Sequence, residues 1–256
     1  MEGPLVSTEW LAAQLGDPDV IVVDASWFLP AEGRSGREEH LQVHIPGAVF
    51  FDIDALSDRE TDLPHMLPSP EQFATQAGDL GLRRDATIVA YDSFGIRAAA
   101  RAWWTLRVFE FADVRVLDGG LRAWLAEERP TEAGAVALPA TALEPRFDAA
   151  LVADLAEVTQ RLQDATAAVV DARPAARFSG DAPEPRAGLR GGHMPGARSL
   201  PFDGLLAPNG QMKPPAEIRA TFEAAGVDLD RPVVATCGSG VTASVLALGL
   251  ASAGLT

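Results

Sequence analysis

Residues 232–250 read PVVATCGSGVTASVLALGL and contain the only cysteine of the chain, Cys237. The run opens with a short Val- and Ala-rich stretch and closes with helix-forming residues, which predicts a buried β-strand, a turn and an α-helix. A thiol at such a turn lies close to backbone N–H groups and to the positive end of a helix dipole, and both favour the thiolate. The pattern therefore predicts a nucleophile at Cys237.

The residues after Cys237 indicate whether this cysteine is a reactive thiol or only packs in the core. A free cysteine is often a buried, small apolar residue. Here Gly238 and Gly240 allow a tight turn and a close approach of the backbone to a ligand. Ser239 and Thr242 add hydroxyl groups that can hydrogen-bond an anion. We therefore expect an anion-binding loop, in which the substrate-contacting residues are Gly238, Gly240, Val241 and Thr242.

The two halves of the chain repeat each other. VIVVDASW at 20–27 corresponds to AAVVDARP at 167–174. HIPGA at 44–48 corresponds to HMPGA at 193–197, in the same order along the chain. Self-similarity at a fixed offset indicates a duplicated structural unit.

This duplication predicts the domain organisation and the fold class. We predict a first domain at 1–131, a linker rich in Ala, Pro and Thr at 132–144, and a second domain at 145–256. Each half alternates short Val-, Ile- and Ala-rich runs with helical patterns, which predicts an α/β fold with a mainly parallel sheet flanked by helices. Ligands bind beyond the carboxyl ends of such strands, where Cys237 falls.

The repeat is asymmetric at two places. The position of Cys237 is taken in the first half by Asp92, which cannot act as a sulfur nucleophile, so we expect the first domain to be non-catalytic. The motif LDGGLRAW begins at Leu117, and its counterpart would fall beyond Thr256. We therefore expect the second domain to lack a final strand and helix, with apolar surface left uncovered and stability reduced.

Composition excludes several classes of partner. Lys and Arg total 21 against 36 Asp and Glu, and the resulting net charge of −15 opposes binding to nucleic acid or to an anionic membrane. One cysteine permits no internal disulfide, no secretion signal opens the chain, and no apolar run approaches the ~20 residues that span a bilayer. These features predict a soluble, cytoplasmic protein.

The tandem repeat, the two H-x-PGA segments, LDGGLRAW, EPRAGLRGGHMPGA and CGSGVTA together resemble the two-domain rhodanese-family sulfurtransferases. Family members that use thiosulfate tend to carry basic residues directly after the cysteine. The neutral CGSGV is instead similar to the 3-mercaptopyruvate subtype. The resemblance implies transfer of sulfane sulfur from 3-mercaptopyruvate through a Cys237 persulfide to a thiol or cyanide, with release of pyruvate.

The resemblance also implies roles for other residues. Arg177 and Arg186 would clamp the substrate carboxylate, since a guanidinium matches a carboxylate in shape and charge. Asp54 and His65 of the first domain would join Ser239 in a proton relay across the domain interface. The implied acceptor is a small thiol or a thioredoxin-like dithiol, and neither a cofactor nor a metal is implied.

Alternatives remain at this point. A thiosulfate sulfurtransferase differs only in its donor, and a truncated sulfur-carrier or binding module would keep the loop without turnover. From spacing alone, His65 could be a surface residue and Asp54 a helix cap. A cysteine phosphatase is improbable, because the position six residues after the nucleophile, where its arginine would stand, is Ala243. His44 and His193 occur in both halves, so we expect structural roles for them.

Overall fold

The computed structural model describes residues 3–186 and 188–255. These residues form eight β-strands and nine α-helices, which alternate along each half. The strands are β1 Leu5–Val6, β2 Val20–Asp24, β3 Val49–Phe50, β4 Thr87–Tyr91, β5 Val114–Leu117, β6 Ala168–Asp171, β7 Arg198–Ser199 and β8 Val233–Thr236. The helices are α1 Thr8–Gln14, α2 Gly36–Gln42, α3 Pro70–Asp79, α4 Arg97–Val108, α5 Gly120–Ala126, α6 Leu155–Asp164, α7 Ala175–Ser179, α8 Pro215–Ala224 and α9 Val241–Ser252.

The strands of each half form one parallel sheet. The first sheet has the order β1-β5-β4-β2-β3, and the second has the order β7-β6-β8. Strands β2 and β4 pair in register over five residues, and β6 pairs with β8 over four. The order β7-β6-β8 repeats β3-β2-β4, so the duplication in the sequence is a duplication of topology. The predicted α/β class with parallel sheets and flanking helices is confirmed.

Local sequence explains where several helices begin. Ser69 accepts a hydrogen bond from Gln72 N at the start of α3, and Pro70 occupies the first turn. At α6, Asp154 and Glu157 bond each other's backbone N–H groups in a reciprocal capping box. These short-range signals place the helices that cover each sheet.

Helices α4 and α9 form the main contact between the two halves. Buried residues of both sheets and both helices belong to one continuous apolar core. Trp103 on α4 is buried within it, whereas Trp124 is buried in a second cluster of the first half. Asp118 also joins the halves, because its carboxylate accepts a 2.8 Å hydrogen bond from Met212 N. The two halves therefore hold their facing loops at fixed positions.

The edges of the two sheets differ. In the first half β4 lies between β2 and β5, whereas within the described residues β8 pairs only with β6. A cavity of about 510 Å³ borders β8 and α9, and the residues that line it include Arg101, Trp104, Arg107 and Leu151.

Residues 132–144 contain no helix or strand, apart from a bridge between Glu132 and His44. Thr141 fixes this segment to the first half, since its N–H donates to Gly78 O at 2.9 Å and its hydroxyl donates to Leu82 O at 2.6 Å. The segment is thus packed against α3 rather than free. None of the described helices is long and apolar enough to cross a membrane.

Candidate active site

Cys237 lies directly after β8, at the carboxyl edge of the second sheet. Its side chain is half-buried, and Gly240 N–H donates to Sγ at 3.1 Å. Gly240 is the N-cap of α9 and has φ +75°, a left-handed conformation that glycine adopts without strain. Ser244 Oγ donates to Gly240 O at 2.7 Å and fixes this turn from within the helix. The sequence therefore places the thiol inside a turn at the N-terminus of α9.

The other loop residues differ in what they can offer a substrate. The side chain of Val241 is buried, so only its backbone N–H can serve the site. Ser239 and Thr242 are half-buried, and within the described residues their hydroxyls form no hydrogen bond in this structure. Gly238 is exposed. The loop thus presents backbone amides and two available hydroxyls beside the sulfur.

Arg177 and Arg186 converge on the loop from the same side. A Cβ atom placed on Gly238 would lie 3.2 Å from Arg177 Nη2 and 4.0 Å from Arg186 Nη1. Glycine at 238 therefore leaves room for both guanidinium groups. Arg186 forms no ion pair within residues 3–186 and 188–255, so its charge is available to an anion beside Cys237.

Arg177 is not a free clamp, because Glu184 already binds it. Arg177 Nη2 donates to Glu184 Oε2 in a very short contact, and Arg177 Nε donates to Oε1 at 3.3 Å. Arg173 Nη1 also donates to Glu184, at 2.6 Å, and its Nη2 donates to Asp171 at 2.6 Å. The hydrogen bond from Arg177 lowers the pKa of Glu184, whose side chain is almost fully buried. Glu184 was not singled out from the sequence, and it positions Arg177.

Asp54 and His65 form a pair in the first half. His65 Nε2 lies 2.7 Å from Asp54 Oδ1, and this hydrogen bond, together with one from Trp27 Nε1 to Oδ2 at 3.0 Å, lowers the pKa of Asp54. His65 is buried, which excludes the surface role, and its Nδ1 has no hydrogen-bond partner among the described residues. The ring of Trp27 stands edge-on to that of His65, with centroids 4.9 Å apart. Trp27 is thus a second residue that sequence analysis missed.

The loop of Asp92 shows what replaces the thiol in the first half. The Asp92 carboxylate is fully buried and accepts four backbone N–H groups, from Phe94 at 2.8 Å, Gly95 at 2.7 Å, Ala98 at 2.5 Å and Ala99 at 2.8 Å. Burial nevertheless raises the pKa of this carboxyl group. A side-chain anion of the protein itself therefore fills the first anion-binding loop.

The repeated histidines contact backbone, as expected. His44 Nδ1 lies 2.7 Å from His40 O, and His193 Nδ1 lies 2.8 Å from Phe178 O. Neither lies at the Cys237 loop. Within the described part of the chain no cluster of three or more His, Cys, Asp or Glu side chains could hold a metal ion.

Comparison with known proteins identifies the family. The rhodanese-like domain family matches residues 7–127 and 154–256, so the chain belongs to this family. The chain is 44% identical over 248 residues to the 3-mercaptopyruvate sulfurtransferase of Escherichia coli K12, covering 96% of this chain and 88% of that protein. It is 41% identical to thiosulfate/3-mercaptopyruvate sulfurtransferase 1, mitochondrial, of Arabidopsis thaliana, covering 99% and 72%.

A solved structure has the same fold. The crystal structure of a 3-mercaptopyruvate sulfotransferase from Escherichia coli superposes with a TM-score of 0.92 at 41% identity, over 99% of this chain and 95% of that one. The predicted resemblance to two-domain rhodanese-family sulfurtransferases is therefore confirmed.

Proposed function

We propose that this protein is a sulfurtransferase that moves sulfane sulfur from 3-mercaptopyruvate through a Cys237 persulfide to a thiol or cyanide. The observation that carries the proposal is the Cys237 loop itself. Its sulfur accepts a hydrogen bond from Gly240 N–H at the N-terminus of α9, while two guanidinium groups reach the adjacent Gly238. This arrangement supplies a nucleophile, an anion-binding turn and a carboxylate site within one loop.

The first half-reaction balances with these groups. The Cys237 thiolate attacks the sulfur of 3-mercaptopyruvate, an S–S bond forms and the C–S bond breaks. The electron pair of the C–S bond goes to carbon as the enolate of pyruvate. The sulfhydryl proton of the donor then passes to that enolate, which leaves pyruvate and the Cys237 persulfide anion. Arg177 and Arg186 bind the donor carboxylate throughout.

The Asp92 loop supports amide stabilisation of the persulfide. Asp92 accepts the N–H groups two, three, six and seven positions later in the chain. Three residues after Cys237, the Gly240 N–H points to Sγ, as the Gly95 N–H three residues after Asp92 points to the carboxylate. We infer that the outer sulfur of the persulfide takes the place that a carboxylate oxygen occupies in the first half.

Asp54, His65 and Ser239 would form a proton relay between the two halves. Asp54 holds His65 through Nε2 and thereby fixes the orientation of the ring. Ser239, two residues after the nucleophile, would carry the donor's proton between the sulfur and the enolate. His65 would polarise that hydroxyl, directly or through one water molecule. The first half thus supplies the proton relay, and the second half supplies the nucleophile.

The second half-reaction regenerates the thiolate. A thiolate acceptor or cyanide attacks the outer sulfur of the persulfide, the S–S bond breaks, and the electron pair returns to Cys237 Sγ. A small thiol or a thioredoxin-like dithiol fits this step, because the sulfur lies at an accessible loop beside exposed Gly238. No cofactor enters either half-reaction.

Thiosulfate is the second candidate donor. Arg177 and Arg186 could bind a dianion, and the name of the Arabidopsis relative includes both donors. The loop after Cys237 is neutral, however, and Glu184 already neutralises part of the charge of Arg177. This balance of charge favours a donor with one carboxylate over a dianion.

The test measures sulfur transfer to cyanide with 3-mercaptopyruvate and with thiosulfate in parallel, with Cys237→Ser as the blank. We expect kcat/KM to be higher with 3-mercaptopyruvate and the blank to be inactive. Higher kcat/KM with thiosulfate would reverse the donor assignment. Turnover by Cys237→Ser would remove the mechanism, and a folded parent protein inactive with both donors would leave the sulfur-carrier alternative.

A further inference from the structure

Arg101 is a buried cation in an otherwise apolar part of the domain interface. It lies on α4 of the first half, is only 5% exposed, and is the only charged side chain among the buried residues described for that helix. With the sequence offset of 145 residues between Asp92 and Cys237, the counterpart of Arg101 is Leu246, and by position within the helix it is Val245. Both are buried apolar residues of α9. A buried charge without a partner is costly, so its presence needs a physical reason.

No carboxylate neutralises the charge of Arg101 within the described part of the chain. Within residues 3–186 and 188–255, Arg101 forms no ion pair with an Asp or Glu side chain. Its Nη2 donates to His65 O at 2.5 Å, and its guanidinium carbon lies 4.8 Å from the centre of the Trp104 ring. These contacts orient the guanidinium, but neither carries a negative charge that would neutralise it.

The remaining contact of Arg101 is with the Cys237 loop. Nη1 packs against Gly240 so closely that a Cβ atom on Gly240 would collide with it. The N–H of the same glycine donates to Cys237 Sγ. Gly240 therefore lies between the Arg101 guanidinium and Cys237 Sγ. The absence of a side chain at position 240 lets the guanidinium approach this close to the loop.

Electrostatics agree with this geometry. Burial lowers the pKa of Arg101 to about 10, and the charge of a Cys237 thiolate acts in the opposite direction. Arg101 therefore remains a cation at neutral pH. The other charged or titratable groups around the loop come from both halves. Arg177 and Arg186 lie at Gly238, Glu184 lies behind Arg177, and His65 with its partner Asp54 is linked to the loop through Arg101. Strand β8 and helix α9 themselves contain no charged residue.

We propose that Arg101, from the first half, is a positioning residue for sulfur transfer. Its guanidinium is the buried countercharge of the Cys237 thiolate and persulfide, and it holds the Gly240 turn in its anion-binding conformation. The proposal deepens the proposed function and rests on it for the persulfide. The negative charge lies on Cys237 Sγ before the attack and on the persulfide once the donor's proton has passed to the enolate. A fixed cation here therefore favours both anionic states over their neutral forms.

This arrangement couples the nucleophile to the relay. The same guanidinium that packs on Gly240 binds the backbone carbonyl of His65, whose ring is held by Asp54. A displacement of Arg101 would therefore disturb both the Cys237 turn and the position of His65. We expect its loss to lower kcat more than it raises the KM for 3-mercaptopyruvate.

The test uses the pH dependence of Cys237 alkylation by iodoacetamide, which needs no sulfur donor. Arg101→Met fills the buried space without charge, as apolar replacements of buried ions often fold well. We expect the midpoint of its pH–rate profile to rise by about one to two pH units, with alkylation at pH 7 slowed about 10- to 100-fold. Arg101→Lys should recover at least half of that shift because it keeps a cation.

Arg107→Gln is the matched control. Arg107 lies on the same helix and borders the same cavity, but its guanidinium packs over the Trp103 ring, 4.8 Å from the ring centre. The midpoint of the alkylation pH–rate profile of Arg107→Gln should equal that of the parent protein. An unchanged midpoint in folded Arg101→Met, or an equal rise in Arg107→Gln, would overturn the proposal.

Two further measurements keep the test decisive. If Arg101→Met does not fold, Arg101→Gln replaces it. In addition, Arg101→Lys has only one ammonium to reach His65 O and Gly240, so its kcat should fall about 10-fold with little change in KM. Parent-like kcat in Arg101→Lys would contradict the positioning role. An upward alkylation shift in a protein that transfers no sulfur would instead support the countercharge and reject the proposed function.

Discussion

Asp92 offers a quantitative test of the anion-binding loop that does not depend on sulfur chemistry. The replacement Asp92→Asn keeps the size of the side chain but exchanges one carboxylate oxygen for an NH₂ group. In the parent protein one oxygen accepts the N–H groups of Phe94 and Gly95, and the other accepts those of Ala98 and Ala99. The variant must therefore direct an NH₂ donor at two backbone donors.

The magnitude follows from these four bonds. A hydrogen bond to a charged group contributes about 1.5–3 kcal/mol, and each buried donor left without a partner costs about 1–3 kcal/mol. The cost of burying the carboxylate, which raises the pKa of Asp92, is removed in the variant and offsets part of the loss. We therefore expect a loss of about 3 kcal/mol in the free energy of unfolding, which lowers Tm by about 6–12 °C.

The assay is thermal and urea unfolding followed by circular dichroism, with Asp85→Asn as the control. Asp85 is an exposed carboxylate that pairs with Arg83 at 3.0 Å, so its loss should change stability by less than about 0.5 kcal/mol. One kcal/mol of stability corresponds to ~2–4 °C in Tm for a protein of this size. If Asp92→Asn melted within about 2 °C of the control, the four amides would not bind a carboxylate.

Three further predictions concern residues around the relay and the arginines. Trp27→Phe removes the hydrogen bond to Asp54, so we expect kcat for 3-mercaptopyruvate to fall about 2- to 10-fold with KM unchanged; parent-like kcat would limit Trp27 to packing. Glu184→Gln releases Arg177 and should raise the KM for 3-mercaptopyruvate about 10-fold. An unchanged KM would mean that Arg186 alone binds the substrate carboxylate. Arg177 lowers the pKa of Glu184, so their pairing stabilises the fold above about pH 4.5, and this stabilisation is lost as the pH falls further. Glu184→Gln should therefore reduce the fall of Tm on the acid side of a Tm–pH profile.

Sequence reasoning located the duplicated strands and the reactive turn because both depend on short-range pattern. Apolar runs before Asp92 and Cys237 predicted β4 and β8, and glycines after Cys237 predicted a turn, as the structure has them. The fold class follows directly from that alternation. The proposed roles of Asp54 and His65 came only from the family resemblance, since nothing in their spacing links them to Cys237.

The residues that sequence analysis missed act through contacts that no local pattern records. Trp27 reaches Asp54 because β2 and the segment after β3 end at the same edge of the first sheet. Glu184 binds Arg173 and Arg177 because the chain folds back over α7. Arg101 offered one signal, a charge at a position whose repeat counterpart, Leu246, is apolar. Its meaning depended on the packing of α4 against α9, which the sequence does not reveal.

The filled loop at Asp92 has an evolutionary consequence. A duplicated unit that binds its own carboxylate no longer needs a substrate to satisfy its amides, so selection at Asp92 acts through stability. The copy with Cys237 must leave the same amides open and accept a weaker fold in exchange for turnover. In a saturation mutagenesis experiment, substitutions at Asp92 should therefore reduce abundance and activity together. Substitutions at Cys237 should eliminate activity while abundance stays constant.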